Sequence, residues 1–279
     1  MTLAVYLAGR AGRLDAALRL TPREARLEAR VLAAAALGVE PVWLIAHDTD
    51  LLAPQQLAAL DALFERRLAG EPVAYILGER EFYGRKFRVS PATLIPRPET
   101  EHLVDAALSH GPDAARVLDI GTGSGCIAIT LKLERPDWSL CAVDVSTDAL
   151  AMAQANGERL GAGIEWLESD LFAALAGRRF ALIVSNPPYI AAGDGHLGQG
   201  DVRFEPKGAL ASGADGLDAI RAIVKRAPAH LEPGGWLLLE HGYDQGETVP
   251  ALLAGAGYAE VFMARDLAGQ PRVSGGRRT

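Results

Sequence analysis

Cysteine is scarce, a basic excess is missing, and no apolar run is long enough for a membrane. The two cysteines among 279 residues, Cys126 and Cys141, stand far apart in apolar surroundings. That predicts reduced core thiols rather than a disulfide framework or a metal pair. The 28 Lys and Arg are outnumbered by 35 Asp and Glu, giving a formal net charge of −7, whereas broad binding to phosphate backbones goes with a basic balance or patch. No stretch approaches the ~18–20 uninterrupted apolar residues of a membrane span. The opening MTLAVYLAGRAGRLDAAL lacks an apolar core ending in a small-residue cleavage site, so no signal peptide is expected. His47, His102, His110, His196, His230 and His241 show no metal-ligand spacing. These absences predict a cytoplasmic protein with no resident metal, no membrane and no direct nucleic-acid substrate.

What is present is ordinary globular composition, 49% hydrophobic and 23% charged, at a length that suits two domains. The first 70 or so residues read as helices. Thr21-Pro22-Arg23-Glu24 is a helix start, with Thr as cap, Pro in the first turn and Glu reaching back. Leu27, Val31 and Ala34 then share a face, and Gly38 stops the run. A second helix from Pro54 carries Leu57, Leu60, Phe64 and Leu68 at helical spacing and ends at Gly70; shorter helical pieces, 42–46 among them, fill the remainder. Residues 1–77 thus form a small helical bundle without a catalytic cluster. Phe82, Tyr83, Phe87 and Val89 around Gly84 suggest a hairpin, so 78–92 is expected to be the linker. From 93 the domain runs to 279, opening with a segment too rich in proline for helix or ladder and then a helix near Glu99.

Beyond residue 116 short apolar runs (116–120, 140–143, 164–167, 180–185, 236–240) alternate with helical stretches such as 149–160 and 217–231. That grammar predicts a doubly wound, Rossmann-like α/β sheet, with 259–265 and 271–274 as an antiparallel pair at its edge. Asp119-Ile120-Gly121-Thr122-Gly123-Ser124-Gly125 follows the first strand and opens a helix, where such sheets bind ligands. The second strand ends in Asp144, placed to accept hydrogen bonds from both ribose hydroxyls of a nucleoside. Nicotinamide dinucleotides and S-adenosylmethionine both fit so far. The loop lacks the GxGxxG spacing that seats a pyrophosphate, and Asp119 suits the cationic sulfonium and ammonium of S-adenosylmethionine better. Asp170, after the third strand, reaches toward the adenine amino group or serves as a loop or cap residue.

Ser185-Asn186-Pro187-Pro188-Tyr189 closes the fourth strand. Two prolines cannot continue a sheet, so carbonyls there are free to face a ligand. An Asn oxygen, a backbone carbonyl and an aromatic ring together suit a flat NH₂ group. An amide nitrogen is a poor nucleophile because its lone pair is conjugated; acceptors on its hydrogens return density to nitrogen, and alignment with a sulfonium methyl adds proximity.

These residues together resemble the protein-(glutamine-N(5)) methyltransferases that modify peptide-chain release factors, the PrmC/HemK family. The resemblance spans nearly the whole chain: GEREFYGRKFRVSPATLIPRPETE (78–101), DIGTGSGCIAI (119–129), SNPPYI (185–190), EPKGAL (205–210) and PGGWLLLEHGYDQGE (233–247). It implies that Gly121, Thr122, Gly123, Ser124, Gly125 and Asp144 bind S-adenosylmethionine with Asn186 near its methyl end, leaving S-adenosylhomocysteine as product. It implies that Asn186, Pro187, Pro188 and Tyr189 hold the glutamine of the Gly-Gly-Gln loop of class 1 release factors, and that the helical domain helps dock the factor. Leu171 stands where some relatives carry Trp against the adenine. Arg97, between two prolines, either shapes the mouth of the site or pairs with Glu99 or Glu101. The NPPY tetrad alone is shared with DNA adenine and cytosine amino-methyltransferases, which stay as the alternative; against them stand the acidic balance and the lack of a target-recognition domain. A silent adaptor has no need of Asp119, Asp144 and Asn186 together. Nothing in the pattern suggests a dimer seam, so a monomer is expected. The run 193–200 reads as a mobile loop near the tetrad.

Overall fold

The computed structural model describes residues 1–279, which divide by contact into two units. The first comprises Met1–Glu79 and Gly198–Phe204. Its helices are α1 (Leu3–Leu18), α2 (Pro22–Leu37), α3 (Trp43–Ala46), α4 (Pro54–Leu68) and α5 (Val73–Leu77). α1, capped by Thr2, is a full 16-residue helix where the sequence had suggested only short pieces. At α2 the Thr21 hydroxyl accepts from the Glu24 amide while the Glu24 carboxylate accepts from that of Thr21, and Gly38 closes the helix in the left-handed region.

The buried face of α2 differs from the expected one. Leu27 is 63% exposed and Val31 half-buried, while Ala34 is buried as expected and Ala25, Ala29, Leu32 and Ala33 turn inward with it toward α1 and α4. Alanines carry little hydrophobic signal, so the larger Leu27 and Val31 marked the stripe about two positions too late. Leu60 and Phe64 of α4 are fully buried, each contributing roughly 2 kcal/mol by burial. Arg67 is 2% exposed and donates to Glu28 and to Asp201, which fastens the segment Gly198–Phe204 into this unit. Gly70, at φ +97°, leaves the space that the Arg203 guanidinium fills; a β-carbon there would stand 1.8 Å from it.

The second unit comprises Arg80–Leu197 and Glu205–Thr279. In chain order it contains β1 (Glu79–Phe82), β2 (Arg85–Arg88), α6 (Glu101–His110), β3 (Arg116–Ile120), α7 (Cys126–Glu134), β4 (Ser139–Asp144), α8 (Thr147–Leu160), β5 (Glu165–Glu168), β6 (Phe180–Ser185), α9 (Asp218–Arg226), β7 (Leu231–Glu240), α10 (Thr248–Gly255), β8 (Ala259–Arg265) and β9 (Pro271–Arg277). β1 and β2 form the separate hairpin, and its Phe82 and Phe87 are buried in the core of this unit. The main sheet has the order β5-β4-β3-β6-β7-β9-β8. Its first five strands run parallel, and the antiparallel β9 lies between β7 and β8.

The strands alternate between two cores, as a pleat covered on both faces requires. Val117, Leu182, Val184 and Leu238 face the side with Leu103, Val104 and Ile127 of α6 and α7. Leu118, Ile120, Ile183, Leu237 and Leu239 face Ile220, Ile223 and Leu253 of α9 and α10. The chain leaves β3 toward β4 on one side, while β6 returns to its other side. The β3–β6 boundary is therefore the switch point where an open α/β sheet opens a crevice.

Candidate functional site

At that switch point the ends of two strands are tied together. Ile120 and Ser185 are register partners, and the Ser185 hydroxyl donates to the Ile120 carbonyl at 2.7 Å. The glycine loop leaving β3 and the Asn186 turn leaving β6 must then emerge side by side. Both line a cavity of about 300 Å³.

The loop crosses the end of β4: the amides of Gly121 and Thr122 donate to the Val143 carbonyl at 2.9 and 3.0 Å. Gly121 and Gly123 have φ of +71° and +56°, and a β-carbon on either would meet nothing within 4 Å. Their backbone is open to a ligand, which is what a cradle needs. Gly125 differs: its β-carbon would press within 2.9 Å of Ile129, so here glycine serves helix packing. Asp144 accepts from the Gly123 amide at 2.9 Å through one oxygen and from the Ser146 amide at 3.0 Å through the other. It lines the cavity with lone pairs left for further donors. After β5 the Ser169 hydroxyl donates to the Leu171 carbonyl at 2.9 Å and accepts from the Ala174 amide at 3.0 Å. This turn puts Leu171 at φ +52° and brings both Asp170 and Leu171 to the cavity wall.

Asp119 is placed differently. It shares the pleat face of Val117, beneath the start of α7, and is fully buried outside the cavity lining. The Thr122 hydroxyl donates to its Oδ2 at 2.7 Å, while Oδ1 has no partner. Burial pushes its carboxyl up to about 7, against the Thr122 hydroxyl and the Ala128 amide and with the help of Asp144. Ser124, in the lining, also keeps a buried hydroxyl without a partner. Open glycines, a strand-end carboxylate with spare acceptor capacity and unpartnered buried oxygens behind the loop fit a cationic nucleoside cofactor.

Of the tetrad, Asn186 and Pro188 line the cavity. Pro187 is buried, and Tyr189 is half-buried with its carbonyl accepting from Gln245 Nε2 at 3.0 Å and its hydroxyl directed to Glu240 at 3.4 Å. Asn186 Nδ2 donates to Thr100 Oγ1 at 3.3 Å, which leaves Oδ1 as the end of the amide that Thr100 does not hold. Arg97 lines the cavity and its ion pair is with Glu205, not with Glu99 or Glu101. The Glu205 carboxylate is buried and also accepts from the Ile95 amide at 3.0 Å, so it clasps the proline-rich segment from the loop beyond the tetrad.

Four contributors had not been singled out from the sequence: Thr100, Asn156, Glu205 and Glu240. Asn156 is fully buried; its side chain bonds both the amide and the carbonyl of Arg88 and donates to the Ser124 carbonyl at 3.0 Å. It thereby fixes the glycine loop against the hairpin.

This sheet, with its glycine cradle, its acidic strand end and the Asn-Pro-Pro turn in one cavity, defines a Rossmann-like S-adenosylmethionine-dependent methyltransferase. The methyltransferase small domain matches residues 99–199. A methyltransferase of known structure from Pyrococcus furiosus superposes with a TM-score of 0.55 at 19% identity, covering 77% of this chain and 96% of that one. The T. Thermophilus 16S rRNA methyltransferase (RsmC), in complex with AdoMet and guanosine, superposes at 0.53 with 22% identity over 72% of this chain and 50% of that one. Likeness at these identities speaks for the fold.

The PrmC N-terminal domain matches residues 14–78. The release factor glutamine methyltransferase of Bordetella pertussis is 53% identical over 254 residues, 90% of this chain and 94% of that protein. Those of Neisseria gonorrhoeae (49%; 90% and 93% covered) and Pseudomonas aeruginosa (50%; 91% and 92% covered) are similar. The chain belongs to the release factor glutamine methyltransferase family. No helix is long and apolar enough to cross a membrane.

Proposed function

We propose that this chain methylates the side-chain amide nitrogen of the glutamine in the Gly-Gly-Gln loop of class 1 peptide-chain release factors, with S-adenosylmethionine as donor and S-adenosylhomocysteine as product. The carrying observation is that the Asn186 amide, the open glycine loop and the Asp144 carboxylate share one cavity. The name of the relatives supplies the substrate class.

On this reading Gly121, Thr122, Gly123, Ser124 and Gly125 form the cofactor cradle, Asp144 takes the ribose hydroxyls, and Asp170 and Leu171 flank the adenine. Asp119 acts from behind the loop as a buried source of negative potential. Bound S-adenosylmethionine supplies an electrophilic methyl group on a sulfonium. The work of the chain is to present the nitrogen. Asn186 Oδ1 and a proline-turn carbonyl accept the two amide hydrogens, orient the plane and return electron density to nitrogen, while water is excluded from a largely apolar cavity. Pro187, Pro188 and Tyr189 hold that turn, and Arg97, clasped by Glu205, shapes the mouth.

The helical unit helps dock the factor, and the protein works in the cytoplasm as a monomer. The test offers radiolabelled S-adenosylmethionine with intact release factor, its Gln→Ala loop variant and duplex DNA side by side. Label on the intact factor alone is the expected result. Label on DNA instead would leave nitrogen transfer standing and overturn the substrate.

A further inference from the structure

The side-chain amide of Asn156 spends all its hydrogens. It lies on α8 at 0% exposure. Oδ1 accepts from the Arg88 amide at 2.8 Å, while Nδ2 donates to the Arg88 carbonyl at 2.9 Å and to the Ser124 carbonyl at 3.0 Å. A primary amide has two hydrogens, and both are committed. At Arg88, the last residue of β2, the side chain exchanges both bonds with a single residue, as a neighbouring strand would.

The two partners lead to different parts of one cavity. The Ser124 carbonyl belongs to the same peptide as the Gly125 amide, which donates to the Thr122 carbonyl at 2.8 Å. This peptide, the last of the glycine loop before α7, is therefore held at both ends. A β-carbon on Gly125 would stand 3.1 Å from that of Ala153, which precedes Asn156 by one turn of α8, so the loop has no room to sink toward that helix. From Arg88 the chain runs through Val89, 4% exposed, into a turn where the Thr93 amide donates to the Ser90 carbonyl at 3.0 Å. Ala92, Thr93 and Leu94 then line the same cavity as Ser124, and the Ile95 amide is tied to Glu205. The wall 92–94 is thus anchored by Asn156 before it and by Glu205 after it.

We propose that Asn156 is a positioning residue that holds the glycine loop and the wall 92–94 at one spacing, so that bound S-adenosylmethionine presents its methyl group in register with the acceptor amide. The inference rests on the reading that Gly121–Gly125 cradles the cofactor.

The residue type follows from hydrogen count. An aspartate has the same shape, but when ionised it only accepts: the Arg88 amide keeps its partner and both carbonyls lose their donor. Leucine fills a similar volume and serves none of the three groups. Either change leaves two buried carbonyls unsatisfied, a cost that is relieved only if loop and hairpin move until another donor or water reaches them. Such a movement shifts the cradle against the wall, and a displacement of about 1 Å is enough to cost transfer heavily. Asn156 does not itself line the cavity, so its effect passes through Ser124 and Arg88.

The experiment compares wild type with Asn156→Asp, Asn156→Leu and Asn156→Gln, and with Asp144→Asn in parallel. It measures S-adenosylmethionine affinity by calorimetry, kcat for the release factor at saturating cofactor, and melting temperature, all binding and rates being read well below the melting transition. Asn156→Asp and Asn156→Leu are expected to weaken cofactor affinity and to lower kcat, each by about tenfold or more. Asn156→Gln, which keeps one acceptor and two donors, is expected to lie nearer wild type in both. Lower melting temperatures with wild-type affinity and kcat would show a merely structural staple and overturn the proposal. Equal losses for Gln and Leu would mean that volume rather than hydrogen bonding matters, and would overturn it too. Should Asp and Leu fail to fold, Asn156→Ser decides, since its single hydrogen cannot serve both carbonyls: wild-type affinity and rate there overturn the positioning role. Unchanged affinity in the Asn156 variants beside a weakened Asp144→Asn defeats this inference alone. Unchanged affinity in Asp144→Asn as well defeats the reading of the cradle and this inference with it.

Discussion

A β-carbon on Gly216 would stand 2.2 Å from the carbonyl oxygen of Tyr189, and 3.0 Å from the Gln245 amide nitrogen that donates to that carbonyl. Gly216, at φ +78°, is thus the gap that lets the acceptor turn be held by its backbone, while Glu240 holds the same tyrosine by its hydroxyl. Gly216→Ala adds left-handed strain to an overlap with backbone that cannot swing away. The two costs together amount to roughly 2–4 kcal/mol of stability. The variant should melt lower and lose methyl transfer by more than it loses cofactor affinity, as thermal melts and steady-state kinetics will read. Unchanged kcat would show that the turn tolerates displacement of Tyr189.

Asp144→Asn tests the cofactor side. Each carboxylate oxygen already accepts one backbone amide, from Gly123 and from Ser146. Asparagine has one accepting oxygen and must set its NH₂ against one of those amides. Losing a charged acceptor costs about 1.5–3 kcal/mol, so S-adenosylmethionine affinity should fall by about ten- to a hundredfold in calorimetry. An affinity equal to that of wild type would remove Asp144 from the ribose.

Asn186→Ala tests the acceptor side. It removes the oxygen proposed for the substrate amide and the donor to Thr100, but none of the contacts that shape the glycine loop. Transfer should be abolished while cofactor affinity stays within a few-fold. Methylation at the wild-type rate would sink the account of the tetrad.

What could be read from the chain, and what could not, divides by sequence distance and by side-chain size. The capping box at Thr21, the glycine loop, Asp144 and the Asn-Pro-Pro-Tyr turn are local patterns, and each lies at the strand end or helix start that its residues require. Asn156, Glu205 and Glu240 act on partners 68, 110 and 51 residues away, and no local spacing joins such pairs. Glu240 did leave a trace, as an acid ending a run buried on both faces. Asp119 could have been placed from pleat alternation: it shares the face of Val117, and that face is covered by α7. The inward face of α2 was misjudged because alanine buries well and signals weakly.

The two buried acids make the stability of the cofactor-free chain depend on pH in an unusual direction. Asp119 and Glu240 are each pushed up to about 7 by burial, from ordinary values of 3.8 and 4.5. Between those limits the native chain keeps protons that the unfolded chain releases, so each acid contributes stability that is complete below about 4 and is lost as pH rises through about 7. Buried His241, whose pKa is lowered by burial from 6.5, works in the opposite sense, but only as pH falls below that value. Two carboxyls outweigh one imidazole, so the melting temperature should fall from about pH 4.5 to about pH 7 and level off above that. Asp119→Asn and Glu240→Gln should each flatten part of that slope and together most of it, as thermal melts at a series of pH values will show. A wild-type melting temperature constant over this window would mean that both acids are already ionised in the native state.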